Sequence, residues 1–443
     1  MYSNLSTRRN SLRDVLAIVS LSLVSVMTAS AQQQASPSGH LHIVPKRPRW
    51  VRTILPGPQG SVTQPGPPGA KLLYYGGPVI SNVRVVVVFW GPNVNTAVTG
   101  GITRFFGAVT NSVYYDVVSE YSTKGSPTAD GAQSTNQILG RGTVDGPHTI
   151  TPSICNTAPC TVYNDQIQSE LQNQINAGHL PAITTDGNGI PNSLYMIYFP
   201  PKVSINDGTA NNPDPNGNSC VDFCGYHGTG TLNSKELLYG VMPDFAPGSG
   251  CDVGCGKNSM FDNVTMISSH ELLEGATDPG VGLAALNAPP LGWYDQTNGE
   301  VGDICNQDQV SSSSAAGYSI QLVWSNVQNA CSDGPPKYQI SAPATANPGA
   351  PFSVTVSPQD NVGTSLSNYH GTVHFSSSDM AAVLPPDGSG PTFQVILKTL
   401  GSQTISVEDT HTSAMIGSMA INVVSGQATK KRRGQLVLRF HLR

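Results

Sequence analysis

The chain has 443 residues, enough for a sizeable core and more than one domain. Only 12% of them are charged and the formal net charge is -5. That composition carries no polyanion-binding signature, so nucleic acid is excluded as an expected partner.

The N-terminus has the build of an export signal. Arg8, Arg9 and Arg13 form a basic region, residues 15–27 are an apolar run short for a membrane span, and Ala29-Ser30-Ala31 is a small-residue cleavage site. Residues 1–31 are therefore expected to be a signal peptide. The expected location is secreted or extracellular, in the periplasm or cell envelope otherwise, with no transmembrane segment after signal removal. Residues 32–70 are rich in Pro, Gly, Gln and Ser and read as a linker without a core. Order is expected to begin near Lys71.

Residues 83–90 are nearly continuous apolar sequence and strongly β-branched, the pattern of a central strand buried on both faces. Ile102, Phe105, Phe106 and Val109 carry helical spacing within residues 101–118. Ile167, Leu171 and Ile175 predict a second amphipathic helix over 163–177, with Gly178 as its stop. Residues 194–199 and 237–242 read as further strands, the latter either a sheet edge to which an extended peptide can add or an ordinary core strand. Residues 206–219 form a turn-rich loop. Its Asp207, Asp214 and Asn216 offer oxygens to calcium, without EF-hand spacing.

The helix expected at 261–278, capped by Asp262 or Asn263 and stopped by Pro279, carries His270-Glu271-Leu272-Leu273-Glu274. This is the zinc-protease pattern H-E-x-x-H with glutamate in place of the second histidine. His270 and Glu274, one turn apart, project from one face and can reach one cation. Glu271 stands where a general base would stand. A third ligand is expected downstream in Glu300-Val301-Gly302-Asp303. The order resembles zinc peptidases of the thermolysin type, where a later glutamate binds metal and an aspartate after it holds the first histidine. His270, Glu274 and Glu300 are thus candidate metal ligands, Glu271 the catalytic base, and Asp303 the second shell. Asp303 and Asp278 are alternative third ligands. His227 and Tyr294 are cleft candidates, His227 being equally a loop histidine beside a disulfide. The zinc-protease pattern makes zinc the first expectation, while two glutamates and one histidine form a harder, more negative set that admits calcium or manganese more readily.

Eight cysteines, Cys155, Cys160, Cys220, Cys224, Cys251, Cys255, Cys305 and Cys331, make an even count, which in an exported chain reads as disulfides. Pairing nearest neighbours, Cys155–Cys160, Cys220–Cys224 and Cys251–Cys255, leaves Cys305–Cys331, although spacing does not fix connectivity. A four-cysteine zinc site is the alternative, but the spacings differ from the usual zinc knuckles.

Composition shifts at Gly334-Pro335-Pro336. Beyond it, short alternating strands at 352–356, 371–375, 392–397, 403–407 and 417–423 carry no helical period. The expected organisation is an α/β (α+β) zincin-like domain with a mixed sheet over residues 71–335. An all-β Ig-like sandwich follows over 336–425, then a basic tail over 426–443 carrying Lys430, Lys431, Arg432 and Arg433.

Several pieces in this order are similar to a known family. They are Tyr74-Tyr75-Gly76-Gly77-Pro78-Val79, Phe89-Trp90-Gly91, Cys224-Gly225-Tyr226-His227, Cys251-Asp252-Val253-Gly254-Cys255, the 270–279 motif, Trp293-Tyr294-Asp295 and Glu300-Val301-Gly302-Asp303-Ile304-Cys305. Over residues 72–331 the chain resembles the phosphate-induced protein 1, or Exordium-like, family of exported plant and bacterial proteins. The resemblance implies a secreted, wall-associated protein without naming a reaction. The C-terminal unit resembles bacterial Ig-like modules appended to exported proteins as spacers or adhesion units. Two functions are expected: a secreted metal-dependent, peptidase-like hydrolase, or a non-catalytic binding protein for an extracellular peptide or wall polymer.

Overall fold

The computed structural model describes residues 61–129, 131–284 and 287–425, and the backbone of 42–45. The expected signal peptide, most of the expected linker and the basic tail lie outside the described residues. In chain order the elements are β1 (His42–Pro45), β2 (Thr63–Gln64), β3 (Leu73–Tyr74), β4 (Asn82–Phe89), α1 (Thr96–Val109), β5 (Gly140–Thr149), β6 (Cys160–Tyr163), α2 (Asn164–Asn176), β7 (Ser193–Tyr198), β8 (Val203–Asn206), β9 (Phe223–Leu232), β10 (Lys235–Met242) and α3 (Met260–Thr277).

Six strands form the main sheet in the order β1-β9-β10-β7-β4-β5. β4 runs parallel to β5 and β7, β7 parallel to β10, and β9 antiparallel to β10. The unbroken apolar run of β4 resolves into two faces. Val83, Val85 and Val87 join one apolar cluster, which also takes Ile102 and Phe106 of α1 and Val264 and Ile267 of α3. Val86 and Val88 join the other, with Ile167 and Leu171 of α2. Period-2 alternation thus serves helices on both sides, which is why no polar residue interrupts it. Of the two readings of residues 237–242, the core strand holds, because β9 covers the outer side of β10. The first helix starts at Thr96, where the Asn95 side chain accepts from the Ala97 N–H, and residues beyond it form a separate 3-10 turn at Tyr115–Tyr121.

α3 is buried continuously from Asn263 to Thr277. Its cap is Ser259, whose side chain accepts from the Asp262 N–H; Asp262 itself sits in the first turn, correcting the expected cap. The helix lies close on the sheet because β9 carries Gly225 beneath it. A Cβ there would come within 2.7 Å of Ile267 Cγ2.

After α3 come β11 (Trp293–Tyr294), β12 (Gln309–Ser311), β13 (Ser319–Gln321), β14 (Val323–Ser325) and β15 (Ala330–Ser332). β2 pairs with β15, and the Val62 N–H donates to Asp333. Order therefore begins before Lys71: a two-residue strand gains its register from a partner 267 residues away, not from local pattern (331 − 64).

The remaining strands are β16 (Lys337–Ser341), β17 (Thr345–Ala346), β18 (Pro351–Gln359), β19 (Val373–Ser377), β20 (Thr392–Ile396), β21 (Gly401–Asp409) and β22 (Ile416–Val423). They make sheets of order β16-β18-β20 and β17-β22-β21-β19. Alternate residues, among them Val354, Val395, Phe375, Ile405 and Ile421, share one apolar cluster between the sheets. The chain is therefore a mixed α/β unit followed by an all-β unit. No helix among the described residues is long and apolar enough to cross a membrane.

Four disulfides are present, and two expected pairings are corrected. Cys155–Cys160 and Cys305–Cys331 form as expected, but Cys220 pairs with Cys251 and Cys224 with Cys255. The four middle thiols share one buried cluster, so each loop presents both of its cysteines to the other loop. The two bridges have the same sequence separation, 31, and run in step between the start of β9 and the loop before α3.

Candidate metal centre

Three elements meet over β9. Helix α3 brings His270, Glu271 and Glu274; β9 brings His227; the turn after β11 brings Glu300 and Asp303. His270, Glu271, Glu274 and Glu300 are 0% exposed and His227 1%. Among the described residues, two overlapping groups offer ligand atoms all within 4.8 Å of one another: His227, Glu274 and Glu300, and His270, Glu271 and Glu274. Asp303 and Asp278 belong to neither.

His227 Nδ1 lies 3.0 Å from Glu271 Oε2, and its Nε2 is 3.6 Å from Glu300 Oε1. One ring edge is thus held by a carboxylate while the other faces Glu300 and the cluster, the arrangement that orients a metal-binding histidine. His227, anticipated as a cleft or loop residue, is a strand residue inside the cluster. Glu274 Oε1 accepts from the backbone N–H groups of Gly302 (3.1 Å) and Asp303 (3.0 Å) and lies 2.9 Å from His270 Nε2. Its other oxygen is 3.7 Å from His227 Nδ1.

The hydrogen-bond network assigns the state of His270. Gln321 Oε1 accepts from the Gln307 N–H at 2.8 Å, and Gln321 Nε2 donates to the Gly302 carbonyl at 2.7 Å. Those two partners fix which end of the amide is nitrogen. The second Gln321 N–H then meets His270 Nδ1 at 2.7 Å, so Nδ1 accepts and the ring proton sits on Nε2, facing Glu274. Asp303, expected to orient His270, lies beside that ring and also shapes the turn. Its carboxylate stands 3.8 Å from His270 Nε2, and its Oδ2 accepts from the Glu300 N–H at 3.1 Å.

Burial lowers the proton affinity of both imidazoles, but the surrounding carboxylates outweigh it. His227 is raised to about 9, chiefly by the charges of Glu300 and Glu271. His270 is raised to about 10, chiefly by Glu274. Burial pushes the Glu271 carboxyl up. The carboxylates therefore pull His270 towards a doubly protonated ring, and the Gln321 N–H opposes it.

The donor set fits a divalent cation. Buried carboxylates converge with imidazole nitrogens, and Glu271 Oε1 is buried without a hydrogen bond. Hard oxygen donors with a histidine nitrogen suit several divalent metals, so the set does not single one out.

Two expected residues are placed elsewhere. Asp278 caps α3 and its Oδ1 accepts from the Gly292 N–H at 2.7 Å. Tyr294 packs against the cluster of Tyr75, Val281, Ala284 and Leu291. Two residues beyond the motif matter. Gln321 stood out only as a lone amide in an apolar run. Gly302 lies so close to the site that a Cβ would come within 2.8 Å of both Glu274 Oε1 and His270 Nδ1.

No protein-family model matches the chain, and no curated protein does. A solved structure with some likeness is the PKD domain of an M14-like peptidase from Thermoplasmatales archaeon SCGC AB-540-F20. It is 14% identical, covering 20% of this chain and 92% of that one, with a TM-score of 0.15.

Proposed function

We propose that the chain is a secreted protein whose buried cluster holds one divalent cation, zinc first, and that it acts as a metal-dependent, peptidase-like hydrolase. The observation that carries this reading is the convergence of two imidazoles and three glutamates from α3, β9 and the 300–303 turn. A cation also reconciles the two demands on His270: it takes up the carboxylate charge and leaves the ring with the single proton that Gln321 requires.

In this reading His227 Nε2, Glu274 and Glu300 hold the cation. His270 is a positioning residue that fixes Glu274, in place of the ligand role first expected of it. A bound divalent cation supplies Lewis-acid chemistry. Glu271 holds His227 through Oε2 and takes a proton at Oε1. The helix motif over a mixed sheet supports a zincin-like domain, and the two-sheet C-terminal unit supports an Ig-like sandwich acting as a spacer. Four disulfides are consistent with an extracellular location and with the Exordium-like resemblance.

The complete burial of His270, Glu271, Glu274 and Glu300 favours a second reading, a non-catalytic binding protein that keeps its cation for stability. Metal content and peptide hydrolysis of the mature protein and Glu271→Gln separate the two. A catalyst keeps its metal and loses turnover in Glu271→Gln. Intact hydrolysis in that variant removes Glu271 from the base role, and a mature protein without turnover under any metal leaves the binding reading. A wild type that takes up no divalent cation overturns both.

A further inference from the structure

The outer edge of β9 faces away from β10, and four residues of the N-terminal segment lie on it. β1 pairs antiparallel with β9, with His42 opposite His227, Ile43 opposite Tyr226 and Pro45 opposite Phe223. β1 is terminal in the sheet and bonds to no strand but β9. Without it, β9 would be an open edge running past His227, a template of unpaired N–H and C=O groups. An added antiparallel strand gains main-chain hydrogen bonds that require no particular sequence.

We infer that the edge of β9 is the peptide-binding edge of this site, and that residues 42–45 occupy it in cis as a surrogate peptide that keeps the site closed. The ligand class is an extended polypeptide segment aligned antiparallel to β9. Identifying it as the approach to a metal site rests on the function proposed above; the strand exchange itself does not.

Three observations support the assignment. The register sets His42 opposite the one strand residue of the metal cluster. The pairing is short and slips between Ile43 and Pro45, so it is weakly held and open to competition. Pro45 lacks an N–H, which is tolerated only at an edge.

The test uses the full mature chain and a fluorescent peptide of residues 40–47. In Ile43→Gly/Val44→Gly the cis strand is weakened. That variant should bind the peptide at least about tenfold more tightly than wild type, because the competing strand no longer occupies the edge. Its Tyr226–Gly228 amides should exchange faster and regain protection when the peptide is added. Equal binding by variant and wild type, or failure of the peptide to protect those amides, overturns the inference. Should the variant misfold, the unmodified chain serves. Its β9 edge amides should exchange at least about tenfold faster than those of Met196 and Ile197 in β7, through local release of β1. Exchange only by global unfolding overturns the inference. Peptide binding without hydrolysis under any metal leaves the inference standing and removes the catalytic reading.

Discussion

Gln321 Nε2 lies 2.7 Å from His270 Nδ1, and the proposed ligand set turns on this contact. It commits His270 to a proton on Nε2, 2.9 Å from Glu274 Oε1, leaving His227 as the histidine of the proposed ligand set. His227→Ala should abolish uptake of a divalent cation after chelation and reloading. His270→Asn should weaken affinity about 10- to 100-fold while keeping the stoichiometry, as loss of an orienting residue does. Metal content by elemental analysis checks both, and the reverse pattern would return His270 to the ligand role.

Gln321→Leu removes the donor and should let His270 rotate. Affinity is expected to fall about tenfold or more, with little loss of global stability beyond about 1–3 kcal/mol for the unpaired neighbours. Isothermal titration with zinc, set against thermal unfolding, separates the two effects.

Gly302→Ala places a methyl where Glu274 Oε1 and His270 Nδ1 stand, 2.8 Å from each. The turn must shift, and the N–H groups of Gly302 and Asp303 move off Glu274. Metal affinity should fall by an amount similar to Gln321→Leu, although the substituted residue binds nothing itself. Unchanged affinity would show that the turn yields without moving Glu274.

The metal-free protein should lose stability as the pH rises. Both rings are held above the ordinary 6.5, at about 9 for His227 and about 10 for His270, because the carboxylates outweigh burial. Their protonation therefore stabilises the fold fully below about 6.5 and fades as the pH climbs through about 9 and 10. Thermal melts from pH 6 to 10 should decline for the chelated protein and stay flat for the loaded one, which sheds its cation only as the pH falls. Flat melts for the chelated protein would contradict the geometry of the cluster.

Disulfide removal should rank by span. Replacing Cys220, Cys224, Cys251 and Cys255 by alanine opens both links of separation 31 and should cost more than about 3.7 kcal/mol on chain-entropy grounds, against about 2 for Cys155 and Cys160, separation 5. Denaturant melts of the two variants give the comparison. Cleavage after Phe223 and Phe245 without reduction, followed by mass mapping, checks the pairing: the piece holding Cys251 and Cys255 should stay joined to both other pieces.

The parts of the fold that declared themselves in sequence are those whose pattern is local. β4 and β7 show as apolar runs, α2 by its period, and α3 by its motif and the proline after it. β9 did not show, because Gly225, Gly228 and Gly230 interrupt any apolar alternation; Gly225 lies against Ile267 and Gly230 against Gln168, neighbours that only the assembled fold supplies. β1 and β2 were hidden in Pro-rich sequence, since their register comes from distant partners. The site followed the same rule. His270, Glu271, Glu274 and Glu300 were legible from spacing. The part played by His227 and Gln321 was not, because it depends on a strand and a turn that meet only in three dimensions.

The two bridges of equal span join the start of β9, three residues before His227, to the loop four residues before Ser259, the cap of α3. They fasten together the two elements that carry His227 and Glu274. A chain still in a reducing compartment lacks those fasteners and holds its prospective ligands on loosely joined segments. If the cluster holds a cation as proposed, its assembly is timed to oxidation, and a chain with reduced cysteines would bind that cation weakly.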